Sequence, residues 1–409
     1  MKKPELLAPA GSFNTLKFAL AYGADAVYVG GEEFSLRTAS KNFDRAELDE
    51  AVRYTHALGR KIYVAVNIFC HNGDISELAE YAKYLELIKV DGVIISDIGA
   101  LSVVKEAAPA LPIHISTQAN TTNAAAVKAW KGLGAVRVVP ARELSLEEII
   151  EIKKSTDCEI ETFVHGAMCI SYSGRCLMSN YFTGRGANQG ACAHPCRWEY
   201  TIKEKTRPDE EMPVVETERG TFIFNSKDLC MIEHIPALIE AGIDSFKIEG
   251  RVKNELYVAT VISAYRAAID AYMANPDDYV TSPELLEELS KVSHRGYTTG
   301  FYFGKPQADA HNFETSEYIR DYGIVGVVKE YDATTGIAKI EQRNRFFAGD
   351  ALEIMNPNGG WFEQIAKDMK NEKGEDITVA PNAQMTVFMK TDSPVEEFSI
   401  LRKKLQRLL

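Results

Sequence analysis

Short runs of consecutive apolar residues, each followed by a stretch with helical spacing, repeat through the first two-thirds of the chain. The runs are Leu6 to Gly11, Asp25 to Gly30, Lys61 to Asn67, Gly92 to Asp97, Ile113 to Thr117, Val136 to Arg142, Glu159 to His165 and Ser245 to Gly250. Apolar residues on nearly consecutive positions mark strands covered on both faces, as in a parallel sheet. Helical spacing runs from Asp44 to Ala57, from Glu143 to Lys154 and from Leu256 to Met273. The second of these opens on Ser145 with Glu148 three residues later, a capping box. Eight strands alternating with helices predict an α/β fold of the (β/α)8, TIM-like type. A doubly wound open sheet is the alternative. No G-x-G-x-x-G follows the first strand, which weakens its dinucleotide-binding form.

One interval breaks the rhythm. Gly166 to Asp244 separates strands seven and eight, with two further strands predicted at Trp198 to Lys203 and Thr221 to Asn225. Loops after barrel strands lie on the face that carries chemistry, so a long insertion there is where a site is expected. Pro283 to Val292 predicts another helix, followed by an aromatic segment, Gly296 to Gly304. Beyond Asp321 the pattern turns to short alternating strands: Gly323 to Glu330, Ala338 to Gln342, Ala351 to Met355 and Met385 to Met389. The expected organisation is a barrel over 1–280 containing a cysteine-rich insertion at 166–244, a connection over 281–320, a small β-barrel over 321–394, and a basic amphipathic helix over 395–409. That helix is read from Arg402, Lys403, Lys404 and Arg407 among leucines.

Among the 409 residues, 45% are hydrophobic, enough for a large core. No apolar run is long enough to cross a bilayer, and Met1 to Pro9 lacks a signal-peptide core, so a cytoplasmic protein is expected. The net charge of −12 counts against general nucleic-acid binding, and any RNA must be held by a local patch.

Seven cysteines are present, and four fall within 28 residues as Cys169-x6-Cys176-x15-Cys192-x3-Cys196. An odd number without an export signal disfavours a disulfide framework. Thiolates suit an iron–sulfur cluster or zinc. Zinc ribbons pair cysteines two to four residues apart, and only Cys192 and Cys196 are that close. The surrounding glycines let backbone amides approach cluster sulfides, which favours a 4Fe-4S cluster over zinc. The tight C-x3-C-x2-C run of radical S-adenosylmethionine enzymes is absent. Cys70 and Cys158 stand alone near apolar runs and read as packing.

The segment Glu161 to Cys169 (ETFVHGAMC), continuing to Gly174-Arg175-Cys176, resembles the signature of the collagenase-like peptidase family, named for an unknown catalytic type. Leu6 to Gly11, Gly23 to Tyr28, Arg185 to Arg197, Asn225 to Cys230, Lys247 to Arg251 and His294 to Gly304 fit the same family. Length and the C-terminal module look most like its tRNA-hydroxylating branch. An rRNA cytidine hydroxylase and ubiquinone hydroxylation proteins are relatives. The resemblance implies formation of 5-hydroxyuridine at the wobble position of tRNA, with prephenate as a linked metabolite. It implies a cluster on Cys169, Cys176, Cys192 and Cys196, with Cys230 a rival for one position, and allows a paralogous subunit as partner. Proteolysis is the alternative. It finds no H-E-x-x-H helix and no G-x-S-x-G elbow, only a Cys169/His165 pair that a cluster would occupy. Two more readings stand beside it: hydroxylation of another RNA, and a non-catalytic cluster scaffold.

Polar residues at the carboxyl ends of the expected strands complete the candidate site. His165, Lys247, Glu249 and Arg251 are the catalytic candidates, and Asn67, Asp97, Gln118 and Arg142 the substrate-binding ones. Arg142 and Arg251 offer the planar fork that a dicarboxylate needs. Lys247 and Glu249 alternate on one strand and could instead form a structural couple. Arg185 and Arg197 flank the cysteines. Lys203, Lys205, Arg207 and the tail cations are candidate RNA contacts or a solvated face. Tyr297, Phe301, Tyr302 and Phe303 could stack bases or belong to the core.

Overall fold

The computed structural model describes residues 2–35, 42–169, 176–185, 192–198, 216–217, 220–221, 226–306, 310 and 318–405. Seven parallel strands come first: β1 (Glu5–Pro9), β2 (Ala26–Gly30), β3 (Lys61–Val66), β4 (Gly92–Ile95), β5 (Ile113–Ile115), β6 (Ala135–Val138) and β7 (Glu159–Gly166). Between them run α1 (Phe13–Ala21), α2 (Arg45–Ala57), α3 (Ile75–Leu87), α4 (Ile98–Ala107), α5 (Ala124–Gly132) and α6 (Leu146–Ser155). The insertion after β7 holds α7 (Met178–Thr183), a hairpin of β8 (Glu216–Thr217) and β9 (Gly220–Thr221), and β10 (Asp228–Cys230). Then follow α8 (Ile235–Glu240), the eighth barrel strand β11 (Ser245–Ile248), α9 (Glu255–Ala274), α10 (Pro283–Ser290) and the short β12 (Tyr297–Thr298).

β11 pairs in parallel with both β1 and β7, which closes the barrel. β10 runs antiparallel to the end of β7, placing Cys230 opposite His165, and carries β12 on its far side. The helices start where side chains supply the caps. Asp44 and Ser145 complete capping boxes, and Ser12, Asp97, Asn123, Asn254 and Ser282 each accept an amide of the first turn. The expected insertion strands at 198–203 and 221–225 lie almost wholly outside the described residues. Among the described residues, no helix is long and apolar enough to cross a membrane.

The C-terminal module is antiparallel: β13 (Tyr322–Asp332), β14 (Ile337–Gln342), β15 (Phe346–Phe347), β16 (Ala351–Met355), β17 (Trp361–Ile365), β18 (Val379–Ala380), β19 (Thr386–Lys390) and β20 (Ile400–Lys404). Six strands form one sheet in the order β17-β16-β20-β13-β14-β19, with β15 and β18 paired beside it. The sheet is a half-barrel whose edge strands are bridged by a side chain. Gln364 on β17 donates to Lys390 O at 3.2 Å and accepts from Asp392 N at 3.0 Å.

The expected basic C-terminal helix is corrected to a strand. β20 lies between β13 and β16, and Arg402 is fully buried. Its guanidinium pairs with Glu288 at 2.6 Å and Glu353 at 2.7 Å, where Lys291 also reaches Glu353 at 3.1 Å. Arg402 therefore ties β16 and β20 to α10 and is not available to RNA. Tyr22, the residue that ends α1, reinforces the junction, its hydroxyl 2.9 Å from Met355 O. Removing one member of a buried ionic group leaves uncompensated charge, which costs about 3–5 kcal/mol. Arg402→Ala should lower the unfolding free energy measured by urea titration by that order, and Arg402→Met by less because it keeps the packing. Equal midpoints for Arg402→Ala and wild type would show that the junction does not depend on this group.

Candidate active site

Strand alternation sends every second side chain into the barrel. In the lower half this brings Glu161 on β7, Lys247 on β11, Arg137 on β6 and Glu5 on β1 together. Lys247 Nζ donates to Glu161 at 2.7 Å, and Arg137 to Glu161 at 3.0 Å and to Glu5 at 2.6 Å. Tyr63 adds a hydrogen bond to Glu5 at 2.8 Å. Burial alone would raise the Glu161 pKa, but the Lys247 and Arg137 charges outweigh it and pull it to about 2. Lys247, a catalytic candidate from the sequence, is thus a buried ion-pair partner below the mouth. Its couple is Glu161 rather than Glu249.

Above that layer, Glu249 and Arg142 face each other, with Arg142 Nη2 3.9 Å from Glu249 Oε2. The Arg142 guanidinium sits 3.8 Å from the Phe163 ring centroid and donates to Ala167 O at 2.9 Å. Its Nε is buried without a hydrogen-bond partner. Tyr28 reaches up from β2, its hydroxyl 3.0 Å from Ile248 O and 3.5 Å from Glu249 Oε2. Across the mouth, Asn67 Nδ2 donates to Gln118 Oε1 at 2.7 Å, and Ser96 holds Asn67 O at 3.0 Å. A narrow cleft beside Arg142 is lined by Phe163, Met168, Leu229, Phe301 and Tyr302. Tyr302 is buried, donating to Phe163 O at 2.7 Å.

Three candidates take positions set by other tasks. Asp97 caps α4, accepting from Ala100 N at 2.8 Å. Arg251 is buried and forks to Ser35 Oγ at 2.9 Å and Asn42 Oδ1 at 2.6 Å, so it pins both ends of the loop after β2. A Cβ at Gly30 would lie 2.3 Å from its Nη2, which is why that strand end has no side chain. His165 is buried among Tyr257, Tyr265 and Tyr297, with Nδ1 3.4 Å from the Tyr265 hydroxyl. Burial, with His294 and Lys253 adding to it, pushes its pKa down to about 3.

The insertion leaves β7 at Gly166, whose φ of 111° and whose approach to Glu249 both exclude a side chain. A Cβ there would lie 2.5 Å from Glu249 O. Cys169 is exposed, Cys176, Cys192 and Cys196 are half-buried, and none is in a disulfide. Cys192 Sγ accepts the His194 amide at 3.4 Å, the kind of hydrogen bond that supports a thiolate ligand. As donors these four fit an iron–sulfur cluster. Among the described residues no three Cys, His, Asp or Glu side chains meet as metal ligands. Residues 170–175 and 186–191, which connect the cysteines, lie outside the described residues. Cys230 is a different case. It is buried beside the Tyr265 hydroxyl at 3.9 Å, and burial pushes its thiol up to about 11, which favours the protonated form.

The sequence reading missed Glu161, Arg137, Tyr28 and the tyrosines around His165. Glu161 had a visible signal, since Glu159-Ile160-Glu161 places a carboxylate mid-strand where burial demands a partner. Tyr257 and Tyr265 lay hidden in the apolar pattern of α9.

A model described as peptidase family U32 matches residues 11–312, and one described as its C-terminal domain matches 320–402. The chain is 42% identical over 402 residues to tRNA hydroxylation protein P1 of Bacillus subtilis, covering 98% of this chain and 95% of that one. It is 39% identical over 438 aligned residues to tRNA hydroxylation protein P of Escherichia coli, covering 97% and 95%. A 34% identity over 321 residues links it to the 23S rRNA 5-hydroxycytidine synthase of Escherichia coli, covering 77% and 47%.

The buried histidines set a pH dependence. His114 and His165 are both held near a pKa of about 3, against 6.5 when solvated. Below pH 6.5 the unfolded chain takes up protons that the folded one refuses, so stability present above that pH is lost as pH falls toward 3. Glu161 adds a second loss between 4.5 and about 2. Urea midpoints should decline steadily below about pH 6.5. A His165→Gln variant, less stable at pH 7, should decline less steeply between about 6.5 and 4. Parallel slopes would show that His165 protonates equally in both states.

Proposed function

Since the chain belongs to peptidase family U32, we propose that it is a tRNA-modifying hydroxylase, forming 5-hydroxyuridine at the wobble uridine with an iron–sulfur cluster and prephenate as co-substrate. The observation that carries the reading is the 42% identity, over nearly the whole of both chains, to a relative named for tRNA hydroxylation. The relative named for rRNA 5-hydroxycytidine synthesis supports RNA as the substrate class.

Cys169, Cys176, Cys192 and Cys196 would hold the 4Fe-4S cluster, which supplies electron transfer or Lewis acidity when bound. The rest of the work falls to the barrel mouth. Arg142 is held over the Phe163 ring with its Nε unpartnered, a fork suited to a carboxylate of prephenate. Glu249 opposite balances that charge and can accept a proton from a bound hydroxyl or imide. The Asn67–Gln118 amides offer donors and acceptors matched to the edge of a uracil. Arg251 acts at one remove, by fixing the loop that borders the mouth.

Proteolysis is poorly served by the same site. A Cys/His nucleophile pair needs the imidazole beside the thiol. His165 is instead enclosed by three tyrosines and bonded to Tyr265, while Cys169 is exposed.

Deleting the gene in a strain without a paralogue should abolish the modified nucleoside in total tRNA. Wild type should restore it and Cys176→Ala should not. Protein purified without oxygen should carry about four iron and four sulfide per chain, as one such cluster requires. Unchanged nucleoside in the deletion strain sinks the hydroxylase reading, and zinc or no metal sinks the cluster.

A further inference from the structure

The insertion exposes an aromatic surface that neither the cysteines nor the barrel mouth accounts for. Tyr181 is 83% exposed, Phe182 48%, Trp198 40% and the neighbouring Leu177 71%. The rings touch one another: Tyr181 and Phe182 are edge to face with centroids 5.1 Å apart, and Phe182 and Trp198 are 6.5 Å apart. Leu177 and Tyr181 share one face of α7, joined by the Tyr181 N to Leu177 O hydrogen bond of 2.9 Å. Single exposed apolar residues are normal on a protein surface, but a contiguous aromatic group is a mark of recognition.

The surface is built rather than loose. Ser179 of α7 is fully buried, and its Oγ accepts the Ala193 amide at 3.0 Å. That bond fastens the helix to the Cys192–Cys196 segment, which ends on Trp198. Thr183 Oγ1 takes the Arg185 amide at 3.3 Å, and Arg185 is exposed two residues past the end of α7. The charge is equally selective. Between Glu161 and Glu199 the sequence holds no Asp or Glu at all, yet it holds Arg175, Arg185 and Arg197, in a chain whose net charge is −12.

We propose that Tyr181, Phe182 and Trp198, with Arg185, form a stacking platform for the unpaired bases of an RNA loop, presenting one base of that loop to the cysteine-bearing face of the barrel. Aromatic faces bind unstacked bases, and arginine supplies phosphate contact and cation–π attraction. A membrane surface calls for more aliphatic side chains than Leu177 alone supplies, and a protein partner is the alternative that the oligomeric-state readout below separates. The proposal rests on the tRNA-hydroxylase reading for the identity of the loop, which would be the anticodon loop.

The test uses the full chain, purified without oxygen, and three labelled RNAs: an unmodified anticodon stem-loop, the same stem-loop with abasic loop positions, and a blunt duplex of equal length. Wild type should prefer the intact stem-loop. Tyr181→Ala and Trp198→Ala should each weaken stem-loop binding by about fivefold or more, the loss of one base stack, and leave duplex binding unchanged. Tyr181→Phe should bind like wild type. Arg185→Ala should weaken stem-loop and duplex alike. Because Tyr181 is almost fully exposed, its variants should keep the wild-type unfolding midpoint, so weaker binding is not a folding defect.

Three results overturn the platform. One is no preference of wild type for the intact loop. Another is Tyr181→Ala binding the stem-loop as wild type does. The third is a change in oligomeric state with Tyr181→Ala, which would make the rings a protein interface. The two readings fail separately. If Tyr181→Ala binds normally and restores the modified nucleoside in the deletion strain, the platform fails and the hydroxylase stands. If deletion leaves the nucleoside intact, the hydroxylase fails on its own evidence.

Discussion

The ion pair between Glu161 and Lys247 spans the seam where the barrel closes. Parallel strands need long connections and gain little from local contacts, so β11, which pairs with β7 across the insertion and with β1 from the far end of the chain, most needs specification. A carboxylate with no exposure is tolerated there only with full compensation. Lys247 and Arg137 provide it at 2.7 and 3.0 Å, and Glu5 accepts from the same Nη1 of Arg137. Four strands, β1, β6, β7 and β11, are thereby held in a single register. A slip of one residue would turn Glu161 into the apolar layer beneath the helices. The pair fixes which pairing is right more than it adds net stability.

That register determines what reaches the mouth. Two residues beyond Lys247 stands Glu249, and four beyond Glu161 stands His165. A bulge in the β7–β11 pairing falls between Lys247 and Ile248, so the alternation of the lower layer does not continue upward unchanged. Glu249 meets Arg142 and Tyr28 at the opening, whereas His165 meets tyrosines of α9 and β12. Gly166 then lets the chain pass Glu249 at close range and start the insertion. The cysteines accordingly begin at the rim, a few residues from the one arginine–carboxylate couple of the described mouth.

The barrel was legible because its signal is periodic. All eight strands appear where apolar runs place them, seven within two residues and β6 ending four residues early, and the Ser145 capping box is formed as its spacing requires. The errors came where a charged side chain is buried. Arg402 sits among leucines and cations, and on periodicity it belongs to an amphipathic helix. In the structure its charge is consumed by Glu288 and Glu353, and the segment becomes the central strand β20. Lys247 misled in the same way, since a lysine at a strand end reads as catalytic until its buried partner is known. Partners distant in sequence, 86 residues for Glu161 and Lys247 and 114 for Glu288 and Arg402, leave no local trace.

The net charge of −12 raises the question of how such a chain could hold RNA at all. Screening answers part of it. At physiological ionic strength fields fade over about 8 Å, so acidic helices on the outer wall have little influence at the insertion. What matters is the local composition, and along the chain from Thr162 to Trp198 it is arginine without acid, up to Glu199. An overall negative charge also has a use. It suppresses the non-specific phosphate binding that a uniformly basic enzyme would suffer along every duplex. Affinity must then come from something duplexes lack, and unpaired bases are that feature. An acidic chain that carries exposed aromatic rings and arginine in one short segment is suited to pass over paired RNA and stop at a loop.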